Sequence, residues 1–600
     1  MAFKVNINEI RILYKNMYRE YKFLNNKYKS ILVSTILVQL SDKIGTVLDT
    51  IIIGFLLGSL YLPAINIVTP FLFLIGCIYT LYGNGGSILS LKAKNEFDYE
   101  KTNKYFTLSI IGSVLVSFVY SIFIFIFADF LLHALNTPKE IFIISKTYLL
   151  IITGFFILNT YIKVLSFFIK SDGEAKLTLR AILIANILNI ILDFVLYKLL
   201  EPTITSIALA LVIGYLISAI YISRYYFKKD ASFKLVSLSK ISFKDFIQFT
   251  ISALHSTPEL IGRIFLTVKT SVILYLCATF LGTSGLLAYL VYDNVATIFY
   301  LTITGIMNAA NPIITLFYNE NDYPAVKFIM KKSVGYVLIV TLVISSILII
   351  YPEILLKLFS ITSLNQQKIV TTTIILTSIG LIGKNLCLIL INYTQSISKF
   401  NISAIMNFME EFACPLIFLP LCISQYAGIG IWIAITLSEI VTTSIYPLLV
   451  RKYKRKDKDS FVNTLLMVQD SESIYWTITR GTFEELDASM QKSNKEIIKS
   501  IESIFSRDYL IITKSLECIA KNIFNEEKNI NKIDISIINN KDQTIIRLIH
   551  EGNAYNPFEN EKLSQFEYIK NLKTFKYSFD YYRLFELNFS YINIDNSEIK

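Results

Sequence analysis

Apolar runs of eighteen or more residues recur along this chain from Ser30 to about Val450. As helices, such runs can cross a hydrocarbon layer roughly 30 Å thick. Twelve can be delimited, at 31–57, 60–90, 105–128, 141–169, 177–199, 203–226, 246–281, 284–318, 328–350, 367–395, 402–423 and 427–450. Several exceed 25 residues, which predicts tilt, kinks or extension beyond the bilayer. The basic residues between the runs fall on one side. Alternate loops take Lys4, Arg11, Lys15, Arg19, Lys22, Lys27 and Lys29, then Lys92, Lys94, Lys101 and Lys104, then Lys170 and Lys176. The same side takes the basic stretch from Arg224 to Lys244, then Lys327, Lys331, Lys332, Lys399 and the run 451–458. The other side receives Lys139, Lys198, Lys357 and Lys368. Loops rich in Lys and Arg stay cytoplasmic, so the pattern predicts twelve spans with both termini inside.

Composition agrees. The 600 residues are 54% apolar and 17% charged, against about 25% charged in a soluble protein. That excludes a secretory enzyme, a nucleic-acid binder or a disulfide scaffold as a description of the whole chain. The net charge of +11 divides unevenly: residues 459–600 hold 17 Lys and Arg against 22 Asp and Glu, and residues 1–458 hold 40 against 24. A basic membrane part joined to a mildly acidic soluble part is the organisation this predicts. The six cysteines and three histidines show none of the regular spacing of a metal site. No short apolar segment ending in small residues marks a cleavable signal peptide.

The membrane part echoes itself. Asn95-Glu96-Phe97-Asp98-Tyr99 follows the second span, and Asn319-Glu320-Asn321-Asp322-Tyr323 follows the eighth, 224 residues later. Ser171 and Ser396 keep nearly the same offset. An offset of six spans predicts two like-oriented six-helix halves with a site between them. The expected boundaries are 1–30 for a cytoplasmic segment, 31–227 and 246–450 for the two lobes, and 228–245 for their linker. A second, basic linker is expected at 451–470 and a soluble domain at 471–600.

Charges in hydrocarbon are costly, so those retained there are candidates for function. The first span holds Gln39, Asp42, Lys43 and Asp49, with Asp42 and Asp49 two turns apart on one face. The fifth holds Asn186, Asn189 and Asp193, the last two one turn apart. A helix end near the outer interface, where Asp is cheap, is the plainer explanation of Asp193. The seventh span carries His255, Glu259, Arg263 and Lys269; Glu259 and Arg263 could be an internal ion pair or a second polar cluster with His255. Lys163, Asp293, Lys384, Glu410, Glu411 and Glu439 are further ionisable residues whose spacing singles none of them out.

Residues 1–455 resemble the MATE (multidrug and toxic compound extrusion) family. The resemblance rests on Asp49-Thr50-Ile51-Ile52-Ile53-Gly54, Gly83-Asn84-Gly85-Gly86-Ser87, the 95–99 loop and Ser171-Asp172-Gly173. It continues through Asn189-Ile190-Ile191-Leu192-Asp193, Asn311-Pro312-Ile313-Ile314 and Gly428-Ile429-Gly430-Ile431-Trp432. It implies an all-α polytopic fold of twelve transmembrane helices in two lobes, and a polar cluster in the first lobe that binds H⁺ or Na⁺. Carried over residue by residue, that cluster is Asp49, Asn189 and Asp193. The chain departs from the family pattern twice. Ile207-Ala208-Leu209-Ala210-Leu211 stands where a span-six Thr is usual, and Asn319-Glu320 replaces a Gly-Ala pair after the eighth span.

Beyond residue 456 the composition turns to α+β. Alternation predicts strands at 474–480, 533–538, 544–549 and 587–594, with helices at 483–505 and 509–524. Thr482 and Glu485 form a capping box for the first helix. This order, with Glu517 and Asn522 on a helix and Glu551-Gly552-Asn553-Ala554-Tyr555-Asn556-Pro557 after a strand, resembles the GHKL ATPase fold of anti-sigma-factor kinases. The resemblance implies a degenerate nucleotide site at Cys518, Asn522, His550, Gly552 and Asn556. Cys518 stands where active relatives carry a catalytic Glu, His550 where they carry the adenine-reading Asp, and Arg583-Leu584-Phe585-Glu586 at their later Gly-rich turn.

The reading predicted is an H⁺- or Na⁺-coupled antiporter in the inner membrane of a prokaryote. It would export amphipathic or cationic small molecules, need no cofactor beyond the coupling ion, and carry a regulatory tail that binds a cytoplasmic protein rather than nucleic acid. Two alternatives stand beside it: a flippase for lipid-linked precursors, kept open by Lys43, Lys163 and Lys269, and a membrane regulator that signals through its tail.

Overall fold

The computed structural model describes residues 22–200, 202–228, 231–237, 239, 241–256, 259–320, 322–451, 461–468, 472–479, 516, 519–520, 522–526, 530, 532–539, 543–558, 577–584 and 587–595. The helices are α1 (Lys22–Leu57), α2 (Tyr61–Lys94), α3 (Tyr99–Ala134), α4 (Lys139–Ser171), α5 (Ala175–Leu199), α6 (Ile204–Phe227) and α7 (Phe243–His255). They continue as α8 (Glu259–Asn319), α9 (Tyr323–Ile350), the short α10 (Glu353–Leu358), α11 (Leu364–Ser396) and α12 (Phe400–Val450). Among the described residues nine helices are long and apolar enough to cross a bilayer. Two of these are long enough for two crossings. Helix α8 has 61 residues, roughly 90 Å at 1.5 Å per residue, and breaks at Gly282, where φ is 59°. Helix α12 breaks at Ala427, where φ is 49°. The expected seventh span, 246–281, is divided: α7 stops at His255 and the crossing helix starts at Glu259.

Helix ends repeat with the sequence. Three turns close the preceding helix with an N–H bonded to the carbonyl five residues back: Asp98 to Ala93, Thr137 to Leu132 and Glu174 to Ile169. Asp322 to Phe317, Ile361 to Leu356 and Lys399 to Thr394 do the same 224 or 225 residues later. This six-to-one bond ends a helix through a left-handed residue. Gly58 and Gly282, Asn136 and Ser360, and Gly173 and Ser398 supply positive φ at matched offsets. The echo seen in one five-residue motif thus extends to the backbone.

The chain forms two compact units, Ser34–Met307 with Val334–Leu449, and Met1–Val33 with Asn308–Ser333 and Val450–Lys600. In the first, hydroxyls knit helices together. Ser117 donates to Thr160 at 2.9 Å, Ser218 to the Ala181 carbonyl at 2.7 Å, and Asn385 to Thr341 at 2.9 Å. Where lipid tails offer nothing to a polar group, such bonds and small residues drive helix association. Helix α5 shows the division of faces: Thr178, Ala181, Ala185, Asn189 and Asp193 are buried, while Leu183, Ile187, Ile191 and Phe194 are exposed.

The segment between α6 and α7 is strapped down. Phe233 is 1% exposed and sits edge-on to Phe168 at 5.2 Å. The backbone N–H groups of Lys234 and Val236 donate to Asn103 and Thr107 at 2.8 and 2.9 Å. Asp172, at the α4–α5 turn, accepts from the Tyr225 hydroxyl at 2.7 Å and the Ser232 N–H at 3.1 Å, with Lys94 at 3.7 Å. Helix α7 follows with a reciprocal cap between Ser242 and Asp245, and the Ser242 N–H, with Lys104 beside it, holds the Asp245 carboxyl down to about 2.

In the second unit five strands form one antiparallel sheet in the order β1-β2-β3-β5-β4, with β1 Glu472–Thr479, β2 Lys532–Asn539, β3 Gln543–Glu551, β4 Tyr577–Leu584 and β5 Leu587–Asp595. Four are the predicted strands. The fourth was not foreseen, although Tyr577, Phe579 and Tyr581 alternate in the strand manner; Arg583 and Leu584 therefore close a hairpin with Asn588 and Leu587 rather than forming a nucleotide-binding turn. The predicted helix 483–505 and Cys518 lie outside the described residues.

Burial alone would raise the Asp172 carboxyl; Ser232, Tyr225 and Lys94 outweigh it and hold it below its ordinary value. A lowered value means stability that is present above about pH 4 and fades as pH falls. Asp172→Ala should cost about 2 kcal/mol at pH 7 through lost charge-assisted bonds. Denaturant unfolding in detergent at pH 7 and pH 4 should show the difference between wild type and variant shrinking at the lower pH.

Candidate functional site

Helices α1 and α5 meet where Gly45 leaves no side chain: a Cβ there would lie 2.5 Å from Asn186 Cγ. Gly214 does the same for α6, since its Cβ would come within 3.2 Å of the Asn189 nitrogen. This close approach brings the three predicted residues together. Asn189 Nδ2 donates to Asp49 Oδ1 at 2.6 Å and stands 3.5 Å from Asp193 Oδ2. Asp193 is fully buried, Asn189 nearly so, and Asp49 is partly exposed. The Asp193 carboxyl faces the protein interior. Asn189 Oδ1 and Asp193 Oδ1 are buried acceptors with no hydrogen-bond partner among the described residues. The site combines two carboxyls, one amide and spare oxygen lone pairs, the chemistry that holds a proton or a small hard cation. Ile207, Ala208 and Ala210 of α6 are buried and bring no hydroxyl to it. The side chains of Asp42 and Lys43 lie outside the described residues.

The second predicted cluster is joined only in part. Arg263 pairs with Glu259 at 3.0 Å, reaches the Tyr79 hydroxyl at 3.4 Å and lies over the Tyr79 ring; Asn84 donates to Glu259 at 3.4 Å. Tyr79 and Asn84 flank or occupy a wide π turn of α2, Thr80–Gly85, a feature common at functional sites. His255 is not a member. It is exposed at the end of α7, because the helix stops there and the one-turn relation to Glu259 is lost.

A third group was legible only as scattered charges. Lys384 of α11 stands 3.6 Å from Glu439 and 5.9 Å from the centre of the Tyr292 ring, and the Tyr292 hydroxyl donates to Glu439 at 2.8 Å. Lys269 pairs with Glu411, and the Cys387 thiol reaches Glu410 at 3.5 Å. Glu410 and Glu411 lie in the second π turn, Met409–Ala413. Gly380 and Gly383 admit Glu439, since a Cβ at either would stand 2.6 or 2.9 Å from its atoms. Two lysines thus face three glutamates inside the second half. Removing one partner of a buried pair strands the other charge, so Lys384→Met should destabilise by about 3–5 kcal/mol. The double variant Lys384→Met/Glu439→Leu should recover part of that loss. Unfolding midpoints in detergent measure both, and strictly additive losses would contradict the pairing.

Comparison with known proteins follows the same outline. The MatE family model matches residues 34–195 and 258–421, more than half of the chain and in two copies. The Multidrug export protein MepA of Staphylococcus saprophyticus is 24% identical over 315 residues, which cover 50% of this chain and 64% of that protein. The chain therefore matches a little under two thirds of that relative's length. Among solved structures it resembles the inward-facing conformation of a multidrug resistance MATE family transporter of the MOP superfamily, with TM-score 0.63 and 16% identity over 70% of this chain and 97% of the other. The outward-facing conformation gives 0.55 at 16% identity, over 71% and 95%. A MOP superfamily transporter from Pyrococcus furiosus, described as having a binding pocket of reverse polarity, gives 0.54 at 15% identity over 70% and 94%. Matched along both halves by the family model, this chain belongs to the MATE family of multi-pass membrane proteins.

Proposed function

We propose that this protein is a secondary active transporter, not an enzyme, that exports amphipathic or cationic small molecules across the cytoplasmic membrane of a prokaryote by alternating access. Twelve crossings in two six-helix lobes, 31–227 and 246–450, with both termini cytoplasmic, fit the one-sided basic loops. They also fit the recurrence of helix ends at offsets of 224 and 225. The name of the Staphylococcus relative, a multidrug export protein, supports the substrate class.

One observation carries the coupling mechanism: Asp49, Asn189 and Asp193 share hydrogen bonds, and among the described residues two of their buried oxygens have no hydrogen-bond partner. Two carboxyls this close hold a single negative charge most cheaply when a proton or Na⁺ lies between them. Taking up that ion on one side of the membrane and losing it on the other would bias the lobes between their states, provided the ion binds the two states unequally. The flippase alternative rests on Lys43, Lys163 and Lys269; of these Lys269 is paired with Glu411, and the Lys43 side chain lies outside the described residues.

The tail fits a non-catalytic, GHKL-like regulatory domain. His550 is fully buried, and its Nδ1 lies 3.4 Å from Asn588 Nδ2, which also donates to the Asn553 carbonyl at 2.8 Å. Asn588 holds the loop, accepting also from the Tyr555 N–H at 3.3 Å, and His550, at the position aligned with an adenine-reading carboxylate, stands against it. Asn556 accepts from the Phe558 N–H at 3.0 Å, and Gly552, at φ 124°, makes the turn.

Dye efflux from proteoliposomes under an imposed H⁺ or Na⁺ gradient tests the mechanism. Asp49→Asn and Asp193→Asn should each slow gradient-driven efflux at least tenfold, about 1.4 kcal/mol or more, with unchanged amounts in the membrane. Full efflux in both variants would move coupling elsewhere, with Glu259 the next candidate. Calorimetry on the full chain should find ATP binding no tighter than about 1 mM, near 4 kcal/mol; micromolar binding would overturn the non-catalytic reading of the tail.

A further inference from the structure

The 319–323 turn is the second copy of the 95–99 turn, and the two copies differ in what happens to their acids. In the first, Asp98 caps α3 by accepting from the Lys101 N–H at 3.0 Å, and Glu96 is exposed. In the second, Asp322 caps α9 in the same way, accepting from the Ala325 N–H at 3.2 Å. Here, however, Asp322 is fully buried and Glu320 largely so, its side chain 11% exposed. A charged turn at a helix end is ordinarily solvated, so this burial needs a partner.

The partner is Arg547, on strand β3 of the tail. One arm of its guanidinium pairs with Glu320 and the other with Asp322 at 2.7 Å, and its plane lies 4.5 Å from the centre of the Phe317 ring. Tyr591, directly across from Arg547 on β5, donates its hydroxyl to Glu320. Tyr318 donates to the Met467 carbonyl at 3.3 Å, so the segment leading into the tail lies on the same hairpin. A planar fork with five donors matches two carboxylates in a way lysine cannot. Burial pushes the Glu320 carboxyl up, and Arg547 and Tyr591 pull it back. The residues that depart from the family pattern, Asn319-Glu320, supply one of the two acids.

We propose that the turn between α8 and α9 is the docking site of the tail domain, that Arg547 is the residue that locks it, and that the docked domain restrains the ends of α8 and α9. The recognised chemistry is a paired carboxylate against one guanidinium over an aromatic ring. The restraint on transport rests on the transporter reading above; the docking does not.

The test uses the full-length protein in proteoliposomes, with hydrogen exchange across residues 317–326 and dye efflux measured on the same samples. Arg547→Ala and Arg547→Lys should each raise exchange in that stretch at least tenfold and raise efflux at least twofold. Glu320→Gln/Asp322→Asn, made from the membrane side, should do the same and covers the case in which the Arg547 variants unfold the tail. The swap Glu320→Arg/Arg547→Glu should restore part of the protection. Unchanged exchange in Arg547→Ala and in Glu320→Gln/Asp322→Asn would overturn the docking site. Raised exchange with unchanged efflux would overturn the restraint. A wild-type protein that moves no dye would defeat the transporter reading, while exchange would still decide the docking.

Discussion

Hydrocarbon offers no hydrogen bonds, so each polar group in the membrane part must find its partner within the protein, and the architecture follows from how this is done. Backbone groups are spent inside helices, and the helix ends are closed by six-to-one bonds at left-handed residues. Ser and Thr hydroxyls return to carbonyls one turn back or cross to a neighbouring helix. Charges are matched in pairs: Arg263 with Glu259, Lys269 with Glu411, Lys384 with Glu439. The group of Asp49, Asn189 and Asp193 gathers two carboxyls and an amide, and among the described residues Asn189 Oδ1 and Asp193 Oδ1 have no hydrogen-bond partner.

Glycine is what lets those pairs meet. Gly45 and Gly214 bring α1 and α6 onto the polar face of α5, and Gly380 and Gly383 bring α11 onto Glu439. At each site the obstruction to a larger residue is a polar side chain or backbone of the partner helix. The positions therefore set the distance between the groups that carry the chemistry, as well as allowing packing.

Much of this could be read from the sequence, for local reasons. Apolar runs and one-sided lysines located the helices, and a spacing of four placed Asn189 and Asp193 on one face. Asp49 joined them only through the family resemblance, because Asp49 and Asn189 are 140 residues apart and periodicity is silent about which helices touch. His255 was misplaced by one assumption, that 246–281 is a single helix. The Lys384 group went unrecognised because its members come from α8, α11 and α12. Arg547 was unreadable for the same reason: 225 residues separate it from Asp322, and an arginine in a strand otherwise passes for a solvated one. Strand β4 was missed although its aromatic alternation was in view.

The wide turn at Met409–Ala413 has one further consequence. Successive residues of an α-helix are rotated by about 100° about its axis. A π turn inserts one residue without breaking the helix, so every side chain beyond it is advanced in phase. Helix α12 accordingly has two angular frames, one running from Phe400 to the turn and one from the turn to Tyr426. Glu410 and Glu411 sit on the seam between them. A helical wheel drawn through the whole segment loses its phase at the seam, where Glu411 pairs with Lys269 and Glu410 meets the Cys387 thiol.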